Sequence, residues 1–540
     1  MCSWVLQHLL SMRALAPVLL QTGTQFCSLC LHVHVQTTVW CEARCEETCC
    51  VRCARCMIAL QVVFRLWTDG WPVGAAVLGD NFADFLCLLC PAMAAMVEPL
   101  MGEVVRECGY CLSTKPANMK IESHCAGMDA VAYGLRQIGI KVESAVASEK
   151  DASAAKYHLL NHKKFKHLFT DMRYLAEGCE GPCYKHGGRL CSLKDKHTGQ
   201  ICTPDLLASS FVCKPWSRAS GKRFKRSEVA PALGDDPDVD TFYFTVECIK
   251  RRAPLTFVLE NVDALNAKAS NSRDQESPLQ WMVRQLQEIR TASSFAYEVE
   301  AVPGITGYMF GVCQSRSRTL FFGVRSDQAV RIKTVVASFF AFQRECLKAH
   351  SRVNGGADHI KTYIEAVRPA AATSAGEEDG ELDNAYIDYL SEYKKGIDLL
   401  RPTVSWIAST KADTAHHSKI TSARVRATID LLTHIVIKNV KPGNYPIADV
   451  SQRVDRCKVK YDGTIPTVLC GSVLWDFTQK NFVSPEVIAA SMGYSAGSFY
   501  DLPLGERRKM VGNGFIVPIA ACAVAAACVG AGFLTKTTIS

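Results

Sequence analysis

Over roughly residues 116 to 330 the sequence predicts an α/β fold, a doubly wound and mostly parallel sheet, followed by a second, smaller domain. Three observations predict it. Short apolar runs alternate with helical periodicity from about Asn118; the first run ends in a small-residue turn that opens a helix; and the alternation stops after Ser326. Within a chain of 540 residues, 48% of them apolar, there is material for several cores.

In chain order, strands are expected at Lys120 to His124, Val142 to Ala147, His167 to Thr170, Leu206 to Val212, Thr256 to Leu259, Tyr297 to Val302 and Thr319 to Val324. Helical spacing fits Ala130 to Gln137 and Pro278 to Thr291. Phe515 to Leu534 carries no charge over 20 residues, but it is rich in Ala and Gly and contains Pro518, which favours a packed helix over a membrane span.

The ends of the chain differ in character. Residues 1–115 hold 13 of the 26 cysteines with 7 basic and 9 acidic side chains, leaving a net charge of +10 on the rest, a balance that suits a polyanionic partner. The CxxC pairs at Cys27, Cys87 and Cys108 lack the compact spacing of zinc modules, and Met1 to Leu20 lacks the basic start and cleavage site of a secretory leader. A polar insertion between Cys179 and Cys202, with Cys183, His186, Cys191 and His197 inside it, has the residue types of a structural zinc site, which the sequence leaves open. Gly376 to Asp388 reads as an acidic solvated loop, and residues 411–460, with 10 basic and 4 acidic residues including Lys419, Arg424, Arg426, Arg453 and Arg456, as a basic face.

Ligands of open α/β sheets bind at the carboxyl ends of the strands, so the residues there carry the chemistry. The first strand runs into CAGMDA (Cys125 to Ala130), whose small residues let backbone N–H groups approach a ligand; without GxGxxG a dinucleotide is disfavoured. Glu149 follows the second strand, where a carboxylate can accept both hydroxyls of a ribose, and Asp171 in FTDMR is placed for an adenine amino group. The fourth strand delivers Cys213 in VCKPWS, and a later one Glu260 in FVLENV, whose apolar setting should raise its pKa and let it share a proton with a ring nitrogen. QSRSR (Gln314 to Arg318) and VGNG (Val511 to Gly514) complete the set.

In this order the segments resemble the motifs of the DNA (cytosine-5)-methyltransferase family, over about residues 117–326 and 466–530. The resemblance implies the S-adenosylmethionine-dependent methyltransferase fold, with 116–330 as catalytic core, 331–475 as target-recognition domain, 476–540 as a return to the core and 1–115 as an extension. It implies catalytic roles for Cys213, Glu260, Arg316 and Arg318, and cofactor contacts from Cys125, Ala126, Gly127, Met128, Glu149, Asp171, Met172 and Asn513, with no metal in the site. S-adenosyl-L-methionine is then the cofactor and DNA the partner, and a eukaryotic source would place the protein in the nucleus. Lys214 and Arg218 would favour the Cys213 thiolate, and Lys222, Arg223, Lys225 and Arg226 would engage phosphates. Val212, Lys214, Asp129 and Ala130 depart from the family pattern, so a catalytically degenerate nucleic-acid-binding relative and an RNA cytosine-5 methyltransferase stand as alternatives. Cys183 in GPC is the rival nucleophile.

Overall fold

The computed structural model describes residues 100–537 apart from 114–117, 163, 195–202, 218–233, 268–275, 355–421, 442–443 and 495–501. The cysteine-rich segment before residue 100, Arg218, the basic run from Lys222 to Arg226, His197, Cys202, the acidic stretch from Gly376 and Lys419 lie outside the described residues.

The described chain opens with helix α1 (Leu100–Glu107) and strand β1 (Tyr110–Leu112). The sheet then begins with β2 (Asn118–His124), α2 (Ala130–Ile138), β3 (Lys141–Ser148), α3 (Ala152–Asn161), β4 (Phe165–Phe169) and the short α4 (Arg173–Glu177). A hairpin of β5 (Gly181–Pro182) and β6 (Leu190–Cys191) interrupts the alternation before β7 (Leu206–Ser209), α5 (Pro237–Arg252), β8 (Thr256–Val262), α6 (Pro278–Gln287), β9 (Tyr297–Thr306) and β10 (Ser317–Arg325). After it come α7 (Ile332–Asn354), α8 (Ala423–Asn439), β11 (Ile447–Asp449), β12 (Leu474–Asp476), β13 (Asn481–Phe482), α9 (Pro485–Ser491), α10 (Leu504–Asn513), α11 (Val517–Gly530) and β14 (Leu534–Lys536).

The seven-stranded sheet has the order β4-β3-β2-β7-β8-β10-β9. The first five strands run parallel; β10 is antiparallel to both β8 and β9. Alternation along the strands divides the buried side chains between two cores. Leu206, Val258, Leu320 and Phe322 join one, with residues of α1, α2, α7 and α11, whereas Leu207, Phe257, Leu259 and Phe321 join the other, with α5 and α6. Helices therefore cover both faces, as the apolar runs predict.

Local chemistry fixes the helix ends. Ser277 and Gln280 form a reciprocal capping box at the start of α6, with Pro278 at its first turn. All 14 residues of α11 are buried, and their small size allows close helix contact: a Cβ on Gly134 of α2 would stand 2.8 Å from the Ala521 Cα. Among the described residues no single helix is long and apolar enough to cross a membrane. Met101, Val104, Val105 and Tyr110, which composition groups with the extension, enter the core shared by α2 and α7, and β1 pairs with β14.

Strand order reverses between β2 and β7, whose neighbours in sequence lie on opposite sides. Their carboxyl ends flank the crevice where such sheets hold ligands. Beneath it, Glu122 of β2 is fully buried between Arg252 Nε at 2.7 Å and His124 Nε2 at 2.9 Å. Burial opposes its ionisation, but the arginine and histidine prevail and hold its pKa at about 2.

Candidate active site

The first half of the site stands at the ends of β2, β3 and β4, three adjacent strands. Leaving β2, the chain turns through Cys125 (φ 49°), Gly127 (φ 53°) and Asp129 (φ 49°), alternate residues in the left-handed region. The Gly127 N–H donates to Glu149 Oε2 at 2.7 Å, and the Asp151 N–H to Glu149 Oε1 at 2.8 Å. Burial raises the pKa of Glu149 despite these donors. Asp171 follows β4; its Oδ1 accepts from the Arg173 N–H at 2.9 Å, and Lys150 Nζ stands 3.8 Å from Oδ2. Cys125 Sγ lies 3.7 Å from the sulfur of buried Met172, and Ala126 is tied to the end of β3 through the Ser148 carbonyl. The cofactor residues proposed from the sequence on these strands thus share one edge of the sheet.

The Asp129 side chain is built into the fold. Oδ1 caps α2 through the Ala132 N–H at 3.1 Å, and Oδ2 meets His158 Nε2 of α3 at 3.0 Å. Burial works against the carboxylate, yet the His158 hydrogen bond and charge hold its pKa below the ordinary aspartate range. His158, fully buried, carried no sequence signal for this role.

The second half lies across the crevice. After Ser209 the chain leaves the sheet, with Asn261 Nδ2 donating to the Phe211 carbonyl at 2.8 Å and the Val212 N–H to Thr241 Oγ1 at 3.0 Å. A turn returning the Trp216 and Ser217 N–H groups to the Cys213 carbonyl then holds Cys213. Glu260 on β8 and Arg318 on β10 share one face, because Glu260 pairs opposite Leu320 and Arg318 is two residues from it. Arg318 Nε stands 2.5 Å from Glu260 Oε1, and both side chains are buried.

Burial raises the Glu260 pKa, with Arg318 and a hydrogen bond from Ser210 pulling the other way. Burial also raises the Cys213 thiol; Arg318 counteracts this, while Glu260 and Cys470 reinforce it. Lys214, proposed from the sequence as a cation for the thiolate, is exposed and faces Asp238 at 3.9 Å. Arg318 takes that part.

Arg316 is buried and donates from Nη1 to the Gly512 carbonyl at 2.9 Å, while its Nε has no hydrogen-bond partner. This contact ties the arginine motif to the end of α10. Asn513, the last residue of α10, accepts from Cys470 Sγ at 2.7 Å, and Gly514 beside it packs against the end of the Met128 side chain, whose Cε would stand 2.4 Å from a Cβ there. Ser210 and Cys470 are site residues that sequence reasoning missed; each sits in a segment with no recognisable motif of its own. Cys183 lies apart from the Cys213 half of the site, paired with Phe169 of the edge strand β4, three strands from β7.

The family model for C-5 cytosine-specific DNA methylases matches residues 119–455. No curated protein matches the chain. Among solved structures, the S. pombe Dnmt2 methyltransferase is similar with a TM-score of 0.38 and 13% identity, over 76% of this chain and 98% of that one. A putative DNA modification methyltransferase from an E. coli prophage gives a TM-score of 0.38 and 12% identity, over 76% and 98%.

Proposed function

The chain belongs to the C-5 cytosine-specific DNA methylase family, and from that premise we propose that it transfers a methyl group to C5 of cytosine in DNA through a covalent bond to Cys213. The observation that carries the reading is the placement of Cys213 after β7 and of the buried Glu260–Arg318 ion pair on β8 and β10, the next two strands of the sheet.

S-adenosylmethionine fits the first half of the site. Gly127 has open space where a Cβ would stand, and the acids Glu149 and Asp171 end neighbouring strands β3 and β4. Cys125, Ala126, Gly127, Met128 and Met172 would line this cradle, with Asn513 across it. When bound, the cofactor supplies the methyl group.

The protein's own groups account for the remaining steps. A cytosine inside a duplex is out of reach of Cys213, so it must be flipped into the crevice. The Cys213 thiolate adds to C6, forming the S–C6 bond and placing electron density on C5, while Glu260, kept protonatable by burial, holds a proton at N3. Arg316, with Nε unpartnered, and Arg318, steadied by Glu260, hold the ring carbonyl oxygen. After C5 is methylated its proton passes to water, the C5–H electron pair re-forms the C5–C6 double bond, the S–C6 bond breaks and the thiolate leaves.

Incubation with labelled S-adenosylmethionine and either duplex DNA or transfer RNA tests the proposal. Label recovered as 5-methylcytosine from DNA supports it; label confined to RNA overturns the DNA assignment, and no transfer to either despite bound cofactor would mark a degenerate relative.

A further inference from the structure

We propose that the hairpin after β4 carries a structural zinc site made of His167, Cys183, His186 and Cys191, independent of methyl transfer. One ligand atom from each of the four lies within 4.8 Å of all the others. His186 Nδ1 stands 3.2 Å from Cys183 Sγ and 3.2 Å from Cys191 Sγ. For comparison, zinc bonds of about 2.3 Å to sulfur and 2.0–2.1 Å to nitrogen place tetrahedral ligand atoms roughly 3.3–3.8 Å apart.

The backbone is shaped for such a centre. Cys183 and His186 are separated by two residues across a tight turn in which the His186 and Gly188 N–H groups both return to the Cys183 carbonyl. Gly187 (φ 66°) and Gly188 (φ 84°) supply the left-handed conformations, and β6 then brings Cys191 opposite Gly181. The fourth side chain comes from outside the hairpin: His167 lies on the edge strand β4, its ring 5.2 Å from that of His186.

Two further details favour a cation over a simple thiol–imidazole contact. The His167 Nδ1 is buried without a hydrogen-bond partner, a cost that ligation by the ring would relieve. Cys183 is wholly buried and receives the Leu168 N–H on its sulfur at 3.4 Å, the kind of outer hydrogen bond that steadies a metal thiolate. Two thiolates with two imidazoles suit zinc, and four protein ligands leave no open position, which marks a structural centre. Binding would displace the two thiol protons and staple the hairpin to β4, beside Thr170, whose N–H already reaches the Pro182 carbonyl.

The test uses the full-length chain, tag removed, with metal measured by plasma mass spectrometry. His186→Ala and Cys191→Ser should each hold one zinc fewer per chain than wild type, whereas Cys179→Ser, whose sulfur faces Glu177, should hold as much as wild type. Cobalt(II) should give tetrahedral visible bands in wild type that weaken in the two ligand variants. A measurement on wild type alone covers poor folding of the variants: zinc should protect Cys191 from alkylation, and a chelator should remove that protection without changing Cys179. Equal zinc in wild type and in folded ligand variants, or Cys191 alkylation indifferent to zinc, would overturn the site.

Discussion

Asp129 offers a quantitative test of how the turn after β2 tolerates an aspartate in the left-handed region. Its side chain caps α2, accepts from Ser123 Oγ at 3.3 Å and partners the buried His158 at 3.0 Å, all from a backbone at φ 49°. Asp129→Ala removes the cap, about 1 kcal/mol. It leaves His158 Nε2 without its partner, about 1–3 kcal/mol, while the left-handed backbone strain is common to aspartate and alanine and cancels. The sum is about 2–4 kcal/mol. Asp129→Gly relieves the backbone and forfeits little of the cap, so it should cost only about 1–3 kcal/mol, mostly from His158. Urea unfolding of the three proteins, compared at equal slope, measures both differences. Because the folded pKa of Asp129 is depressed, its stabilisation is complete above the ordinary aspartate range and is lost as pH falls through the folded value, so the gap to Asp129→Asn should narrow in acid. Asp129→Ala within about 0.5 kcal/mol of wild type, or Asp129→Gly above wild type, would refute the reasoning.

Other expectations follow from the same geometry. Val212→Pro restores the family residue but deletes the N–H bonded to Thr241, so the melting temperature should fall, by about 1 kcal/mol of stability, and a rise would show that this bond contributes nothing. Alkylation of Cys213 in the free protein should climb with pH beyond the ordinary thiol range, because burial raises its pKa; Glu260→Gln, removing a like charge, should quicken it at a given pH, and Arg318→Gln should slow it. Deleting residues 1–112 should lower the melting temperature far below that of a 1–98 deletion, since Met101, Val104, Val105 and Tyr110 leave the core and each large-to-small loss costs about 2–5 kcal/mol; equal melting of the two truncations would contradict that packing.

The sheet was legible because its parallel strands are buried on both faces and read as plain apolar runs, as in TFVLENV of β8. What escaped the sequence depended on partners far along the chain. The fourth strand stops at Ser209 and not Val212, because Asn261 and Thr241 take the next backbone groups. The helix Ile332–Asn354 begins just where the strand alternation ends. At the site, motif residues could be ordered but not paired: that Arg318 meets Glu260, while Lys214 turns to Asp238, follows from the antiparallel register of β10 on β8 and from α5, which no local pattern encodes. His167 carries no ligand signal for a similar reason: it lies on a strand outside the insertion it faces.

The most direct test of the account is a mapped covalent trap. Duplex DNA carrying 5-fluorocytosine, given S-adenosylmethionine, should become attached to the protein because fluorine at C5 blocks the final elimination. Mass spectrometry should place the adduct on Cys213, Cys213→Ser should abolish it while salt-sensitive DNA binding remains, and Glu260→Gln should slow it. An adduct on Cys183 or any other cysteine, or no adduct with cofactor demonstrably bound, would contradict the assignment of Cys213 as the nucleophile.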